Sequence, residues 1–293
     1  MENGKITAKL QCIFISAFIY QYGVPKVKEI FSMWKYGVMV AVTILCAGIY
    51  MLLLLPTKSI PIIPGVTEIR PASLLPVLFG LLFGPAGAWG SAIGNLGGDF
   101  FGTLSIGSVF GFVGNFMYAY IPYKLWNRLK PKFGEDNSPT VNSAWKLAQF
   151  GIIAFIASAA CAVIIAWGFE VIDWVGFSTL AVIITLNNSV ITLLLGPIIL
   201  PILYSLAKKN KLLWTDIMHR KDISKPSGNR IHPLLITTGS IGGLVTGLVA
   251  GHFISGQSLL GHQLLAAAGS GNIATALIIL PFLTLIFYGS FNS

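Results

Sequence analysis

Residues 72–99 read ASLLPVLFGLLFGPAGAWGSAIGNLGGD, and how this stretch crosses a bilayer decides the fold. Taken as one helix, it would leave two spans between the loop at 56–71 and the basic stretch 122–146. That would place five basic residues on the outer side. Broken at Gly84-Pro85, the same stretch gives two passages and a third follows from Leu104 to Tyr120, which returns 122–146 to the inside. A Gly-Pro pair is a turn signal, and proline cannot continue the ladder of helical hydrogen bonds. The broken reading therefore wins. Ala72–Phe83 and Ala88–Gly98 are each shorter than the ~20 residues of an ordinary span, so they need shielding by other helices.

Working outward, the whole chain has the same character. Of its 293 residues, 55% are hydrophobic and only 10% charged. Soluble domains carry about 25% charged residues, and the mean hydropathy here is +0.78. The apolar residues fall in blocks separated by short polar stretches, which excludes a disordered chain, a collagen-like chain and a disulfide-rich module. The pattern is that of an all-α polytopic membrane protein.

The net charge of +9 does not mark a nucleic-acid binder. All lysines and arginines except Lys58 and Arg70 lie in three clusters, 5–35, 124–146 and 208–230, which flank apolar blocks. That is the positive-inside signature of cytoplasmic loops. It orients a first span from Tyr36 to Leu55, outward, and a fifth from Leu147 to Trp167, also outward. Leu180–Leu206 returns, Ile231–Phe253 goes out and Asn272–Tyr288 returns. The expectation is a plasma-membrane protein with both termini cytoplasmic. Four segments follow: an interfacial 1–35, a six-helix core 36–208, a basic linker 209–230 and a C-terminal hairpin 231–293. The apolar run Ile13–Tyr20 is too short to span and lacks a cleavage site, so it reads as interfacial. The loop 56–71, rich in proline yet apolar at Ile60, Ile62, Ile63 and Val66, reads either as a lid over the outer face or as an ordinary connector.

Glycines recur every four residues at Gly90, Gly94, Gly98 and Gly102, and again at Gly239, Gly243, Gly247 and Gly251. Such spacing lets helix backbones approach closely, within the chain or toward a partner. Cys12, Cys46 and Cys161 have no ligand spacing and read as small hydrophobes. No GxxxxGK phosphate loop, HExxH zinc motif or GxSxG elbow is present, and the four histidines are scattered. The chain is therefore read as a non-enzyme, and neither cofactor nor metal is expected.

Charges away from the basic loops are functional candidates, because an ionised group near hydrocarbon is costly to leave unpaired. Lys58, Glu68, Arg70, Asp99, Glu170 and Asp173 make up this set, and the last five converge on the outer mouth in this topology. Asn95, one turn before Asp99, and Asn187 and Asn188 in the sixth passage are amides that need a helix or a ligand as partner. Trp89, Trp167 and Trp174 either stack on a planar ligand or anchor the interface. The candidate substrate-binding set is Glu68, Arg70, Trp89, Asn95, Asp99, Asn187 and Asn188.

The stretch RPASLLPVLFGLLFGPAGAWG, Arg70–Gly90, resembles the second and third helices of substrate-binding S components of energy-coupling factor (ECF) transporters. Gly94–Asp99 supplies the glycine-rich run and acidic residue that follow in that family. Ile184–Asn188 running to Gly196-Pro197 is similar to its last helix. The resemblance covers about residues 36–206. It implies a six-helix subunit that captures a vitamin-like micronutrient at its outer face. It also implies a transmembrane coupling subunit and a cytoplasmic ATPase pair as partners. By the same resemblance, the ligand positions fall on Glu68, Arg70, Asn95, Asp99, Asn187 and Asn188. Two features depart from the family: the first helix carries Ala41, Ala47 and Gly48 in place of regularly spaced alanines, and residues 207–293 exceed the six-helix length. A stand-alone carrier or channel, and a scaffold or sensor, are the competing classes.

Overall fold

The computed structural model describes residues 27–63, 66–68, 70–126, 128, 136–224, 231–257 and 271–293. The interfacial run expected at Ile13–Tyr20, and Cys12 before it, lie outside the described residues. What is described is an all-α membrane bundle with helices α1 (Lys28–Ser32), α2 (Gly37–Leu54), α3 (Leu74–Phe83), α4 (Pro85–Asp99), α5 (Gly107–Trp126) and α6 (Ala144–Val171). They are followed by α7 (Phe177–Lys209), α8 (Trp214–Ile217), α9 (Ile231–Thr237), α10 (Gly243–Ser255) and α11 (Ile273–Asn292). A π-helical stretch, Thr238–Gly242, joins α9 to α10 as one continuous rod. Five of the described helical stretches, those starting at Gly37, Ala144, Phe177, Ile231 and Ile273, are long and apolar enough to cross a membrane.

The break at Gly84 is real and has a backbone cause. Gly84 adopts φ 55° and ψ −125°, a conformation only glycine takes without strain, and Pro85 then opens α4 at its first position. The ten residues of α3 span about 15 Å at 1.5 Å per residue. So short an apolar helix is shielded because nearly every one of its residues is buried among α4, α5 and α7.

The core is centred on α6, whose middle is built from Ala157, Ala159, Ala160, Ala162 and Ala166, all fully buried. Small side chains let neighbouring helices approach closely. α7 is the opposite case, with Leu186, Leu194, Ile198 and Ile202 exposed along a face that suits lipid. The stripe Gly90, Gly94 and Gly98 packs on α2: a Cβ at Gly94 would lie 2.7 Å from the Ala47 carbonyl oxygen. Gly102 drops out of the stripe, because α4 has ended and nothing lies within reach of it. The second stripe packs within the chain. Gly239 faces Phe282 and Ile286 of α11, Gly243 faces Phe282 and Val163, and Gly247 faces Phe177.

At the basic end, α1 and the described part of the linker are docked rather than free. Glu29, fully buried, pairs with Lys124 at 2.7 Å and accepts from the Tyr120 hydroxyl at 3.0 Å and the Ser224 amide at 3.1 Å. The Tyr36 hydroxyl donates to Asp222 at 2.7 Å, and Ser32 donates to the Asp222 carbonyl at 2.7 Å. Burial pushes the Glu29 carboxyl upward, but the Lys124 charge and its hydrogen bonds outweigh this and hold it below the ordinary value.

Candidate functional site: a polar cavity under the 56–71 loop

At the end of the bundle opposite the basic loops, the strands Pro61–Ile63 and Thr67–Glu68 pair as a short antiparallel hairpin folded back over the helices. Pro61 pairs with Glu68 and Ile63 with Thr67. This turns Val66, Thr67 and Arg70 inward over a cavity walled by α4, α5, α6 and α7. Of the two readings of the loop, the fold-back is the observed one.

Arg70 fastens the roof at two points. Its backbone N–H donates to Asn187 Oδ1 at 3.1 Å, tying the loop to α7. Its Nη1 donates to Asn95 Oδ1 at 2.9 Å, tying it to α4. Ser73 adds a third link, from its hydroxyl to the Asn187 carbonyl at 3.1 Å. Because Asn95 and Asp99 are four residues apart on α4, they share a face. Asn95 Nδ2 lies 3.4 Å from Asp99 Oδ2, and the Thr103 hydroxyl donates to Asp99 Oδ1 at 3.0 Å.

Across the cavity, α5 presents glycine where a side chain would intrude. A Cβ at Gly111 would sit 3.0 Å from Asn95 Nδ2. One turn on, Asn115 forms the floor, accepting from the Tyr50 hydroxyl at 2.9 Å and donating to the Gly111 carbonyl at 2.9 Å. The remaining wall is apolar, with Ile165 and Phe169 from α6 and Leu180 and Ile184 from α7, and the buried Cys161 thiol and Asn188 complete it.

The cavity thus combines one guanidinium, one carboxyl, four amides and several hydroxyls against a single greasy side. It encloses about 40 Å³. Ligand cavities for drug-sized molecules are ~300–1,000 Å³, whereas one water needs only ~10–15 Å³ on this measure. The groups that could grip a ligand hold one another here.

Of the expected site residues, Arg70, Asn95, Asp99, Asn187 and Asn188 meet here. Glu68 is placed by its backbone in the hairpin, and its side chain lies outside the described residues. Trp89 does not join them. It sits ten residues before Asp99, near the other end of α4, where its Nε1 donates to the Ile30 carbonyl at 3.0 Å and its ring meets Trp34 and Phe116. Glu170 and Asp173 also turn away, accepting backbone N–H groups from the ends of α7 and α11. Trp167 donates to the Ala276 carbonyl at 2.9 Å and Trp174 packs on Phe169, so neither faces the cavity. Asn115 went unread in the sequence, although it is an amide in an apolar run like Asn95. Tyr50 and the Phe169 wall gave no signal, because an aromatic in a membrane helix is ordinarily packing.

A protein-family model described as QueT transporter matches residues 39–205, more than half of the chain and the helices that build the cavity. No curated protein and no solved structure matches it.

Proposed function

The chain belongs to the QueT transporter family, and from that premise we propose that it is the substrate-capture subunit of an ATP-driven importer of the energy-coupling factor type. In this reading residues 36–208 form a six-helix S component, and the cavity under the 56–71 loop opens to the outside. The cargo is a small vitamin-like micronutrient. A transmembrane coupling subunit and a pair of cytoplasmic ATPases supply the energy.

One observation carries the reading: the loop is fastened over a small, mixed-polarity cavity by an arginine that bridges α4 and α7 through Asn95 and Asn187. A cavity that closes on itself through replaceable polar contacts suits tight capture. A ligand that offers its own donors and acceptors to Asn95, Asn187 and Asp99 substitutes for the internal bonds, so that little hydrogen bonding is lost on binding. The neighbouring Arg70 and Asp99 suit a zwitterion or weak acid. The apolar wall of Ile165, Phe169 and Ile184 suits a flat hydrophobic side. In this scheme capture is a binding event, with the loop as lid, and translocation is driven by partners.

The test is gentle detergent purification of the tagged chain from its native host, with co-purified proteins and metabolites identified by mass spectrometry. Recovery of two ATPases and a coupling subunit, with a bound metabolite, is the expected result. Transport by the chain alone in liposomes would replace this reading with a stand-alone carrier, and a chain that recovers neither ligand nor ATPases would point to a scaffold.

A further inference from the structure

The helices after residue 230 lie beyond the family match, yet they pack on α6 and α7, and at the cavity's end of the bundle their polar contacts centre on one buried carboxylate. Glu170 closes α6 and is 1% exposed. It accepts from the Phe177 amide that opens α7, from Gln257 Nε2 at 3.2 and 3.3 Å just past α10, and from the Asn272 amide at 2.9 Å just before α11. Gln257 is itself oriented, its Oε1 accepting from the Ser178 amide at 3.0 Å. Beside it, Asp173 accepts from the Gly271 amide at 2.8 Å. A carboxylate with this many N–H donors from three elements fixes their relative positions far more tightly than apolar packing, which has no directional preference.

The other side of the same turn is the cavity wall. Phe169 is the residue before Glu170, and Leu180 and Ile184 follow Phe177 on α7. Phe169 is wedged, with its ring 5.4 Å from Trp174, and there is no room for a Cβ on Gly107, which would come within 2.3 Å of it.

We propose that the C-terminal hairpin is a brace for the cavity, and that Glu170, with Gln257, is the positioning residue through which it sets the Phe169–Leu180–Ile184 wall. The inference rests on the cavity being the ligand site, but its test needs no ligand. Cys161 lines the cavity and is 1% exposed, so its alkylation rate follows the fraction of time the wall is open. In a Cys12→Ser, Cys46→Ser background, N-ethylmaleimide labelling of Cys161 is measured on the full chain in lipid vesicles.

Glu170→Ala and the milder Gln257→Ala are expected to label about tenfold faster or more. Ile286→Ala, which removes a fully buried side chain facing Gly239 elsewhere in the hairpin, is expected to lower the thermal midpoint while leaving labelling unchanged. Unaltered labelling in Gln257→Ala overturns the proposal. So does equal acceleration in Ile286→Ala, which would mean the hairpin acts only through general stability. If labelling responds as expected but no metabolite co-purifies with the chain, the brace stands and the capture reading fails.

Discussion

At the residue scale, Arg70 has two separable jobs, because its backbone bonds Asn187 while its guanidinium bonds Asn95. Arg70→Ala removes only the second. Hydrogen bonds to charged groups contribute ~1.5–3 kcal/mol, so ligand retention should fall by roughly 10- to 100-fold, while the loop keeps its link to α7 and the thermal midpoint changes little. Arg70→Lys should not restore binding, since an ammonium has neither the reach nor the planar fork of a guanidinium. Asp99→Asn should weaken binding comparably by exchanging an acceptor for a donor facing Thr103. Titration of the co-purified metabolite against each purified variant measures these effects, and wild-type affinity in both Arg70→Ala and Asp99→Asn would remove the cavity from consideration. The Glu29–Lys124 pair is a different residue-scale case, since it is buried and structural. Lys124→Met leaves the carboxylate buried without its partner, which typically costs ~3–5 kcal/mol. The double variant Glu29→Gln, Lys124→Met should recover part of that loss in a thermal melt.

At the scale of elements, the glycines of α4 divide by what they touch. Gly94 meets backbone, the Ala47 carbonyl at 2.7 Å, so Gly94→Leu should force α2 and α4 apart and abolish folded expression. At Gly98 the one tight neighbour is the far end of Leu54, its Cδ1 at 3.2 Å, which can rotate away, while the Leu54 Cβ at 3.5 Å is in ordinary contact, so Gly98→Ala should be tolerated with a melting temperature close to wild type. A normal monodisperse Gly94→Leu protein would contradict the α2–α4 packing described above. The α3–α4 break obeys a separate rule. At φ 55° Gly84→Ala strains the backbone by about 1–3 kcal/mol whatever the surrounding space. The Cβ would also crowd Trp214 and Tyr123 at 3.1–3.2 Å. That element boundary was legible in the sequence because Gly-Pro is a local signal. Legible for the same reason were the ends of α2, α6 and α7, where hydropathy and charge change within a few residues. The stripe's end was not: Gly102 keeps the four-residue spacing, but whether a helix still exists there depends on how Asp99 and Thr103 close α4.

For the whole molecule, the basic end is held by carboxylates and should loosen in acid. Glu29 lies below its ordinary value, and the Lys146 and Ser138 hydrogen bonds hold Asp136 below its own. A carboxyl with a depressed folded value gives its full stabilisation above the unfolded value, ~4 for these side chains, and loses it as the pH falls through the folded one. Thermal midpoints in detergent should therefore be flat near neutrality and fall below about pH 4, with a shallower fall in Glu29→Gln. A midpoint that rises on acidification would contradict this arrangement. Read locally, the sequence makes the chain a membrane bundle, marks the ends of α2, α6 and α7 to within a few residues, and breaks residues 72–99 into two helices at Gly84-Pro85. Those properties follow from local free energies, the cost of unsatisfied backbone in lipid and of proline in a helix. It also supplied Arg70, Asn95, Asp99, Asn187 and Asn188, since a polar group in an apolar run is costly wherever it stands. Only the tertiary structure decided which of them share a cavity. Arg70 and Asn187 are 117 positions apart, and Glu170 finds its partners at 257 and 272 instead of joining Asp99. Trp89 likewise went to the other end of α4, because nearly three turns of helix separate it from Asp99 and an indole finds its hydrogen bond where a carbonyl is offered, here at Ile30. Sequence spacing fixes a residue's place along its own helix, and the packing of helices far apart in the chain fixes what it meets.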